Sequence, residues 1–298
     1  MTAFLPTISA AELKKRLQHI TGERNPFSSP RHLAQVENYI EREFASYRLS
    51  VESDTFTHLG RSYRNIIARL GPSPHSSPGG RGSKGEGLII IGAHFDSVEG
   101  TPGADDNASG VAVLLEAARI LSGLRLRSPV LFCAFNLEEL NMIGSAHFAK
   151  KLKAAGAKVR AMVSLEMVGF TDSKPGSQKY PIGLRWFYPD HGNFIGVIGN
   201  WRSTALLRQF SHSMRQVRGL PVETLTVLGN GFLIPQVRLS DHSPFWDLGY
   251  PALMITDTSF FRNPHYHGAS DTADTLDLDF MAKVCQGVIY AVSYIAGL

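Results

Sequence analysis

Short runs of β-branched and other apolar residues alternate with segments of helical periodicity along most of this chain. Runs such as RNIIARL, GLIIIGA and PVLFCAF are typical of strands buried on both faces of a sheet. The predicted strands span residues 64–70, 87–93, 129–135, 159–165, 194–198 and 252–256, and the predicted helices span 10–20, 30–49, 108–121, 142–154, 204–215 and 278–295. This alternation predicts an α/β fold in three layers, with a mostly parallel, mixed central sheet and helices on both faces.

The length and composition are those of an ordinary globular protein. Hydrophobic residues make up 43% and charged residues 19% of the 298 residues, so the chain has enough apolar surface for a substantial core. We therefore expect one domain over residues 1–298. Within it, segment 71–87 (GPSPHSSPGGRGSKGEG) is rich in Gly, Pro and Ser, and we expect it to form a mobile loop.

The distribution of charge and the cysteines indicate which binding partners and which cellular compartment to expect. The formal net charge is +4, and the 30 basic residues are spread along the sequence, which argues against nucleic-acid binding. No apolar run approaches the roughly 18 residues of a membrane span, and the first residues lack the pattern of a secretory leader. Cys133 and Cys285 lie in apolar contexts typical of buried free thiols. We expect a cytoplasmic protein without a membrane partner.

Acidic residues and histidines collect where the predicted strands end. Five separate segments contribute them, and the residues are, in chain order, His94 and Asp96, Asp105 and Asp106, Glu138 and Glu139, Glu166, and His265 and His267. In a sheet of this kind the ligand site lies beyond the carboxyl ends of the strands. We therefore expect these side chains to meet in one cleft.

Each of these residues also has an ordinary structural explanation. Glu138 and Glu139 would suit the start of a helix, and Asp105 or Asp106 would suit a helix N-cap. Coincidence in all five segments is improbable, however, because carboxylate and imidazole groups are the oxygen and nitrogen ligands of Zn²⁺. Divalent cations would also neutralise the repulsion among so many acids, and two would do so better than one.

The same segments resemble a known enzyme family. AHFDS, PGADDNASGVA, NLEELNMIGS, SLEMVGF and NPHYHGASDT occur in the order found in the co-catalytic di-zinc aminopeptidases, a family that also contains glutamate carboxypeptidase and the glutaminyl cyclases. The resemblance covers roughly residues 65–280. It implies a zinc-dependent exopeptidase that hydrolyses the peptide bond at a free amino terminus, with two Zn²⁺ ions as cofactors and a peptide as substrate.

The resemblance also implies a role for each site residue. His94 and Glu166 would bind one zinc ion, Glu139 and His267 the other, and Asp106 both; Glu138 would be the general base towards a metal-activated water, and Asp96 would accept the ring N–H of His94. It further implies a cis peptide bond between Asp106 and Asn107. Many relatives have Asp where this chain has Glu166, although one branch of the family shares the glutamate.

Further residues match the family or flank the site. The stretch LSDHSPFWDLGYPALMITDT implies that Ser240, Asp241 and His242 lie near the cleft. Asp241 and His242 are candidates for binding substrate, with a network that orders a loop as the alternative. Phe260, Phe261 and Tyr266 flank His267 and would line a pocket for an apolar first side chain. The alternative for these aromatic residues is a place in the core.

Three other functions compete with the aminopeptidase. A glutaminyl cyclase shares the fold but works with one zinc ion, and the intact DDNASG loop favours the peptidase. A carboxypeptidase or dipeptidase would need an arginine in the pocket for the substrate carboxylate, for which Arg202, Arg238 and Arg262 are available. A non-catalytic binding protein on the same fold would have lost ligands, whereas this chain keeps all five and the base.

Overall fold

A computed structural model describes residues 6–71 and 87–298 of the chain. These residues form one eight-stranded sheet in the order β1-β2-β4-β3-β5-β8-β6-β7. The strands are β1 (Ser50–His58), β2 (Arg61–Leu70), β3 (Leu88–His94), β4 (Val130–Phe135), β5 (Val159–Glu166), β6 (Ile195–Asn200), β7 (Val222–Val227) and β8 (Ala252–Thr256).

The centre of the sheet is parallel. Strands β4, β3, β5 and β8 run side by side in the same direction, and β6 pairs with β7 in parallel. The pairs β1–β2, β2–β4 and β6–β8 are antiparallel. The sheet is thus mixed and mostly parallel, and the carboxyl ends of its four central strands meet at one edge.

Helices cover both faces of the sheet. They are α1 (Ala10–Ile20), α2 (Pro30–Ser46), α3 (Gly110–Leu121), α4 (Ile143–Ala154), α5 (Thr204–Met214), α6 (Ser243–Asp247) and α7 (Leu278–Ala296). On one face α1, α2, α3, α5 and α7 share a core cluster with the alternate strand residues, such as Ile89 and Ile91. On the other face Phe148 of α4 and Trp246 of α6 pack with Ile90 and Met162. The predicted three-layer α/β fold is confirmed.

All twelve predicted helices and strands are present, with ends that differ by a few residues. Strands β1 and β7 were not predicted. Both lie at the edges of the sheet, and β1 reads SVESDTFTH, with most of its residues partly or fully exposed. An edge strand of this kind lacks the continuous apolar run that reveals a central strand. The predicted mobile loop falls almost wholly on residues 72–86, which lie outside the described residues.

Two smaller expectations can be compared with the structure. Cys133 and Cys285 are both free and buried, as their apolar contexts predicted. Among the described residues, no helix combines the length and the apolar character needed to cross a membrane.

Candidate metal centre

All five predicted metal ligands lie together at the carboxyl edge of the parallel strands. His94 is the last residue of β3 and Glu166 the last residue of β5. Glu139 follows β4 by a short turn, Asp106 lies in the Ala104–Ser109 segment before α3, and His267 lies in the loop that leads towards α7. The parallel register places the ends of β3, β4 and β5 side by side, so residues far apart in sequence become neighbours.

The five side chains form two groups that share Asp106. In each group the nearest ligand atoms all lie within 4.8 Å of one another. In the first group, His94 Nε2 is 3.2 Å from Asp106 Oδ1 and 3.6 Å from Glu166 Oε2. In the second, His267 Nε2 is 3.1 Å from Asp106 Oδ2 and 3.4 Å from Glu139 Oε2. Each oxygen of Asp106 therefore faces one group.

The donor atoms fit a pair of divalent cations. His94 Nε2, Asp106 Oδ1 and Glu139 Oε1 are buried and have no hydrogen-bond partner among the described residues. Buried polar atoms are almost always paired, so atoms left unpaired at one point need an explanation such as an ion. Imidazole nitrogen and carboxylate oxygen are suitable ligands for zinc, and three protein ligands at each position leave room for water or substrate.

The electrostatics of the two histidines reflect the excess of acid around them. Burial opposes protonation of His94, but the nearby carboxylates of Glu138, Glu166, Asp106 and Asp96 raise its pKa well above the ordinary value. Burial likewise opposes protonation of His267, yet its hydrogen bonds to Asp106 and Glu139 raise its pKa to about 10. Both imidazoles thus face a negative environment that favours positive charge.

The carboxylates respond in opposite ways. Burial would raise the pKa of Asp106, but the adjacent imidazoles of His267 and His94 lower it below the ordinary value. Burial raises the pKa of Glu139 to about 7, and the neighbouring Asp106 adds to this rise. Burial also raises the pKa of Glu166, while His94 opposes the shift. The shared carboxylate is therefore the one that the cationic partners hold ionised.

Glu138 stands beside the two groups. Its Oε2 is 3.9 Å from His94 Nε2, and its side chain is only 12% exposed. Burial raises its pKa well above the ordinary value, against the attraction of His94, and Glu166 and Glu139 raise it further. Glu138 belongs to neither of the two groups that contain Asp106. Its carboxylate can nevertheless hold a proton close to the predicted ligands.

The loop that carries Asp106 is held by hydrogen bonds from distant segments. Asp271 accepts the backbone N–H groups of Asp105 and Asp106, at 2.9 and 3.1 Å. Asn107 donates to Leu165 O at the end of β5 and accepts from Met167 N. The peptide bond between Asp106 and Asn107 is cis, as the family resemblance implied.

Arg24 supports the same loop from beneath. The side chain is fully buried and donates to five backbone carbonyls, at distances between 2.6 and 3.0 Å, in the order Phe95, Ile20, Gly22, Pro102 and Gly103. No carboxylate forms an ion pair with it among the described residues. Arg24 is thus a structural clamp between the start of the chain and the loops after β3.

The start of α3 is equally confined. A side chain at Gly110 would bring its Cβ within 2.3 Å of Asn107 Oδ1 and 2.8 Å of Leu165 O. Only a residue without a side chain allows the helix to begin this close to β5. The glycine of the DDNASG motif therefore sets the position of the Asp106 loop against the sheet.

Asp96 lies beside the ring of His94, as its predicted role requires. The Nδ1 atom of His94 is 3.2 Å from the main-chain oxygen of Asp96 and 3.6 Å from its carboxylate. The carboxylate also accepts the backbone N–H groups of Glu138 and Glu139, at 3.0 and 3.1 Å. The backbone carbonyl is thus the nearer acceptor for His94, the role of the carboxylate towards the ring stays a prediction, and the same carboxylate holds the turn that carries the predicted base.

Sequence reasoning missed several supporting contacts. Ser240, which the stretch LSDHSPFW placed near the cleft without a role, donates to Glu166 Oε2 at 2.8 Å. Asp105 accepts from Gly169 N and from Asn263 Nδ2, at 2.9 and 2.7 Å. Asp271 is the aspartate of ASDT in the last motif, but nothing in that motif indicated that it accepts hydrogen bonds from the Asp106 loop. Arg24 lies in a segment that the family resemblance does not cover.

An apolar pocket opens beside Glu166. The predicted Phe260, Phe261 and Tyr266 line it, with ring centroids of Phe260 and Phe261 4.5 Å apart. Asp241 and His242, also predicted to bind substrate, are fully buried and do not line this pocket. His242 is hydrogen-bonded to Val237 O at 2.9 Å and meets the Trp246 ring edge-on. His242 therefore lies behind the pocket wall at Val237. Asp241 lies near the metal centre, where burial raises its pKa to about 7 against the attraction of His94.

The three candidate arginines also lie outside this pocket. Arg238 pairs with Asp247 at 2.8 Å, and the guanidinium of Arg202 lies 5.4 Å from the ring centroid of Trp201. Arg262 is buried and donates to Phe194 O and to Gln178. The carboxylate-binding arginine that a carboxypeptidase or dipeptidase would need is therefore absent from the described lining.

The chain is similar to known peptidases. The model of peptidase family M28 matches residues 65–292. An uncharacterized protein of Escherichia coli K12, YfbL, is 38% identical over 294 residues, covering 94% of this chain and 87% of that protein. A probable leucine aminopeptidase of Arthroderma otae is 30% identical over 230 residues, covering 72% of this chain and 55% of that protein. The chain thus spans about half the length of that fungal relative.

Solved structures show the same fold. The aminopeptidase from Aneurinibacillus sp. strain AM-1 superposes with a TM-score of 0.72 and 19% identity, covering 97% of this chain and 94% of the other. The glutaminyl cyclase of Porphyromonas gingivalis superposes with a TM-score of 0.67 and 21% identity, covering 98% and 99%. Since the family model matches well over half of the chain, this protein belongs to peptidase family M28 and is a hydrolase.

Proposed function

We propose that this protein is a zinc-dependent aminopeptidase that uses two zinc ions to hydrolyse the peptide bond after the first residue of a peptide. The observation that carries the proposal is the pair of ligand groups that share Asp106, one oxygen towards each group. The similarity to leucine aminopeptidases supports cleavage at the amino terminus.

Bound zinc would polarise the scissile carbonyl and lower the pKa of water towards neutrality. His94, Asp106 and Glu166 would hold one ion, and Asp106, Glu139 and His267 the other. The remaining chemistry belongs to Glu138, whose carboxylate lies near both groups without joining either. It would take the proton of the attacking water and deliver it to the leaving amine, acting as base and then as acid.

The residues around Glu138 keep it in position. Asp96 accepts the N–H groups of both Glu138 and Glu139, so one carboxylate orients the base and a ligand together. Ser240 orients the Glu166 carboxylate through one hydrogen bond. These supporting contacts fix the geometry on which proton transfer depends.

The proposal is tested with dipeptides that carry either a free or an acetylated amino terminus. After chelator treatment the protein should lose hydrolysis, and added zinc should restore it for the free dipeptides only. Equal cleavage of the acetylated peptides would contradict an aminopeptidase. Cyclisation of an N-terminal Gln peptide with release of ammonia, without cleavage of dipeptides, would instead identify a glutaminyl cyclase.

The role of Glu138 is tested by Glu138→Gln. Loss of a positioned general base typically costs about 10²–10⁴-fold, so kcat should fall by that factor while the zinc content stays at two per chain. Glu52→Gln, an exposed change on the edge strand β1, is the matched control. Retained turnover in Glu138→Gln would remove this residue from the mechanism.

A further inference from the structure

A row of four residues crosses the sheet from the metal centre to the far wall of the pocket. Glu166 on β5 pairs with Thr256 on β8, Thr256 pairs with Gly196 on β6, and Gly196 pairs with Glu223 on β7. Residues paired across strands point to the same face of a sheet. Both Glu166 and Glu223 line the apolar pocket, so the row forms its floor.

The middle of the row leaves space for a long side chain. Gly196 has no side chain, and a Cβ there would already lie 3.2 Å from Thr256 O. Three strand spacings separate the backbones of Glu166 and Glu223, about 14 Å in total. An extended lysine side chain spans about 6 Å, which leaves room for the carboxylates at both ends of the row.

Aromatic rings line part of the pocket wall, and the hydroxyls of two of them already have partners. Tyr180 and Tyr188 stack with ring centroids 5.7 Å apart. Their hydroxyls donate to Pro189 O at 2.6 Å and to Thr224 O at 2.9 Å. Such rings would pack against the methylene stem of a lysine or arginine and attract its cationic end.

Glu223 differs from these wall residues because its carboxylate has no partner. It is half-buried, and within the described ranges no residue forms a hydrogen bond or an ion pair with it. Lys179 also lines the pocket but forms no ion pair with Glu223. A carboxylate at the end of an apolar pocket is costly to desolvate unless a cation meets it there.

We infer that the pocket selects a lysine or arginine as the first residue of the peptide and that Glu223 determines this specificity. The inference rests on the proposed aminopeptidase function and deepens it. The aromatic walls hold the aliphatic stem, and the carboxylate of Glu223 accepts hydrogen bonds from the ammonium or guanidinium group. An arginine would use both carboxylate oxygens.

The test compares amide substrates of lysine and norleucine, which share a four-carbon stem and differ in the terminal charge. In the zinc-loaded enzyme, kcat/KM for the lysine substrate should exceed that for the norleucine substrate by roughly tenfold or more, the value of a charge-assisted hydrogen bond. Glu223→Gln should remove most of this preference, and Glu223→Lys should reverse it. Glu52→Gln should keep the wild-type ratio.

The outcomes separate this inference from the function on which it rests. Hydrolysis of both substrates with no lysine preference, or with a ratio that Glu223→Gln leaves unchanged, overturns the inference and leaves the aminopeptidase intact. Hydrolysis of neither substrate, at two zinc ions per chain, overturns the aminopeptidase and the inference with it. Zinc content and thermal melting show whether each variant is folded.

Discussion

The metal centre and the apolar pocket share the floor of one cleft but are built differently. At the centre, loop residues are braced by buried polar groups, as Asp271 does for the Asp106 loop. In the pocket, aromatic rings such as Phe260 and Tyr266 contact one another and remain partly exposed. The charged groups of the metal centre are thus held in place by hydrogen bonds from distant segments. The pocket, in contrast, is lined by rings that solvent partly reaches.

The largest effect should follow from removing the shared ligand. Asp106→Ala takes one ligand from each group and leaves the remaining carboxylates facing each other, so the protein should bind little zinc and lose turnover. Metal analysis after dialysis, together with dipeptide hydrolysis, measures both effects. Two retained zinc ions per chain would show that Asp106 is not shared.

Replacing Arg24, which supports the Asp106 loop, should lower the zinc affinity although Arg24 is not a predicted ligand. Arg24→Met leaves the five carbonyls without their donor, and loss of supporting contacts around a metal site typically weakens metal affinity about 10–100-fold. Zinc competition titration measures the affinity. Unchanged zinc affinity in a folded Arg24→Met protein would show that the contacts of Arg24 do not contribute to zinc binding.

Low pH should reduce the free energy of unfolding through the buried His242, which lies behind the pocket wall. Burial lowers the pKa of His242 to about 3, while its hydrogen bond to Val237 opposes the shift. The unfolded chain therefore binds a proton that the folded chain does not: the stabilisation is present above the ordinary pKa of 6.5 and is lost as the pH falls towards 3. Relative to His242→Gln, the wild type should lose about 2 kcal/mol of unfolding free energy between pH 7 and pH 5.

Urea unfolding at the two pH values measures this change. His212→Gln, at an exposed position on α5, is the control and should follow the wild type. A parallel loss in His242→Gln would assign the acid sensitivity to other groups.

The smallest effect should come from trimming the pocket. Phe260→Ala removes a ring that packs against Phe261 and Tyr266, and an aromatic contact of this kind is worth about 1 kcal/mol, or about fivefold in kcat/KM. Zinc content should stay at the wild-type level. The exposed Phe27, far along the sequence, gives the control variant Phe27→Ala. A loss of zinc in Phe260→Ala would mean that the pocket and the centre are not independent.

The sequence was sufficient to predict the central strands and the meeting of the acidic residues and histidines at their ends. Runs such as GLIIIGA are buried on both faces, and the polar residues that end them lie at the parallel edge, so pattern and position agree. The edge strand β7 was missed because VETLTV mixes polar and apolar residues without a continuous run. The pairing of Gly196 with Glu223 depends on the register of that strand, which no local pattern contains.

The supporting residues were hidden for a related reason. Arg24 acts on backbone carbonyls, which every residue possesses, so nothing at its acceptors marks them in the sequence. The Asp96 carboxylate likewise accepts backbone N–H groups of a turn, and these partners were not part of the prediction. Ligand types can be read from residue identity, whereas contacts to the backbone depend on how loops meet in space.

The contacts of Arg24 also bear on how the molecule assembles. Its bonds to Phe95 and Gly103 join groups 71 and 79 positions apart along the chain. Long-range closures of this kind are entropically expensive and form slowly, after local structure has appeared. A partly folded chain that lacks these contacts would therefore not yet have its five ligands in position. Since Arg24 also donates to Ile20 at the end of α1, zinc binding during refolding would indicate that α1 has packed against the loops.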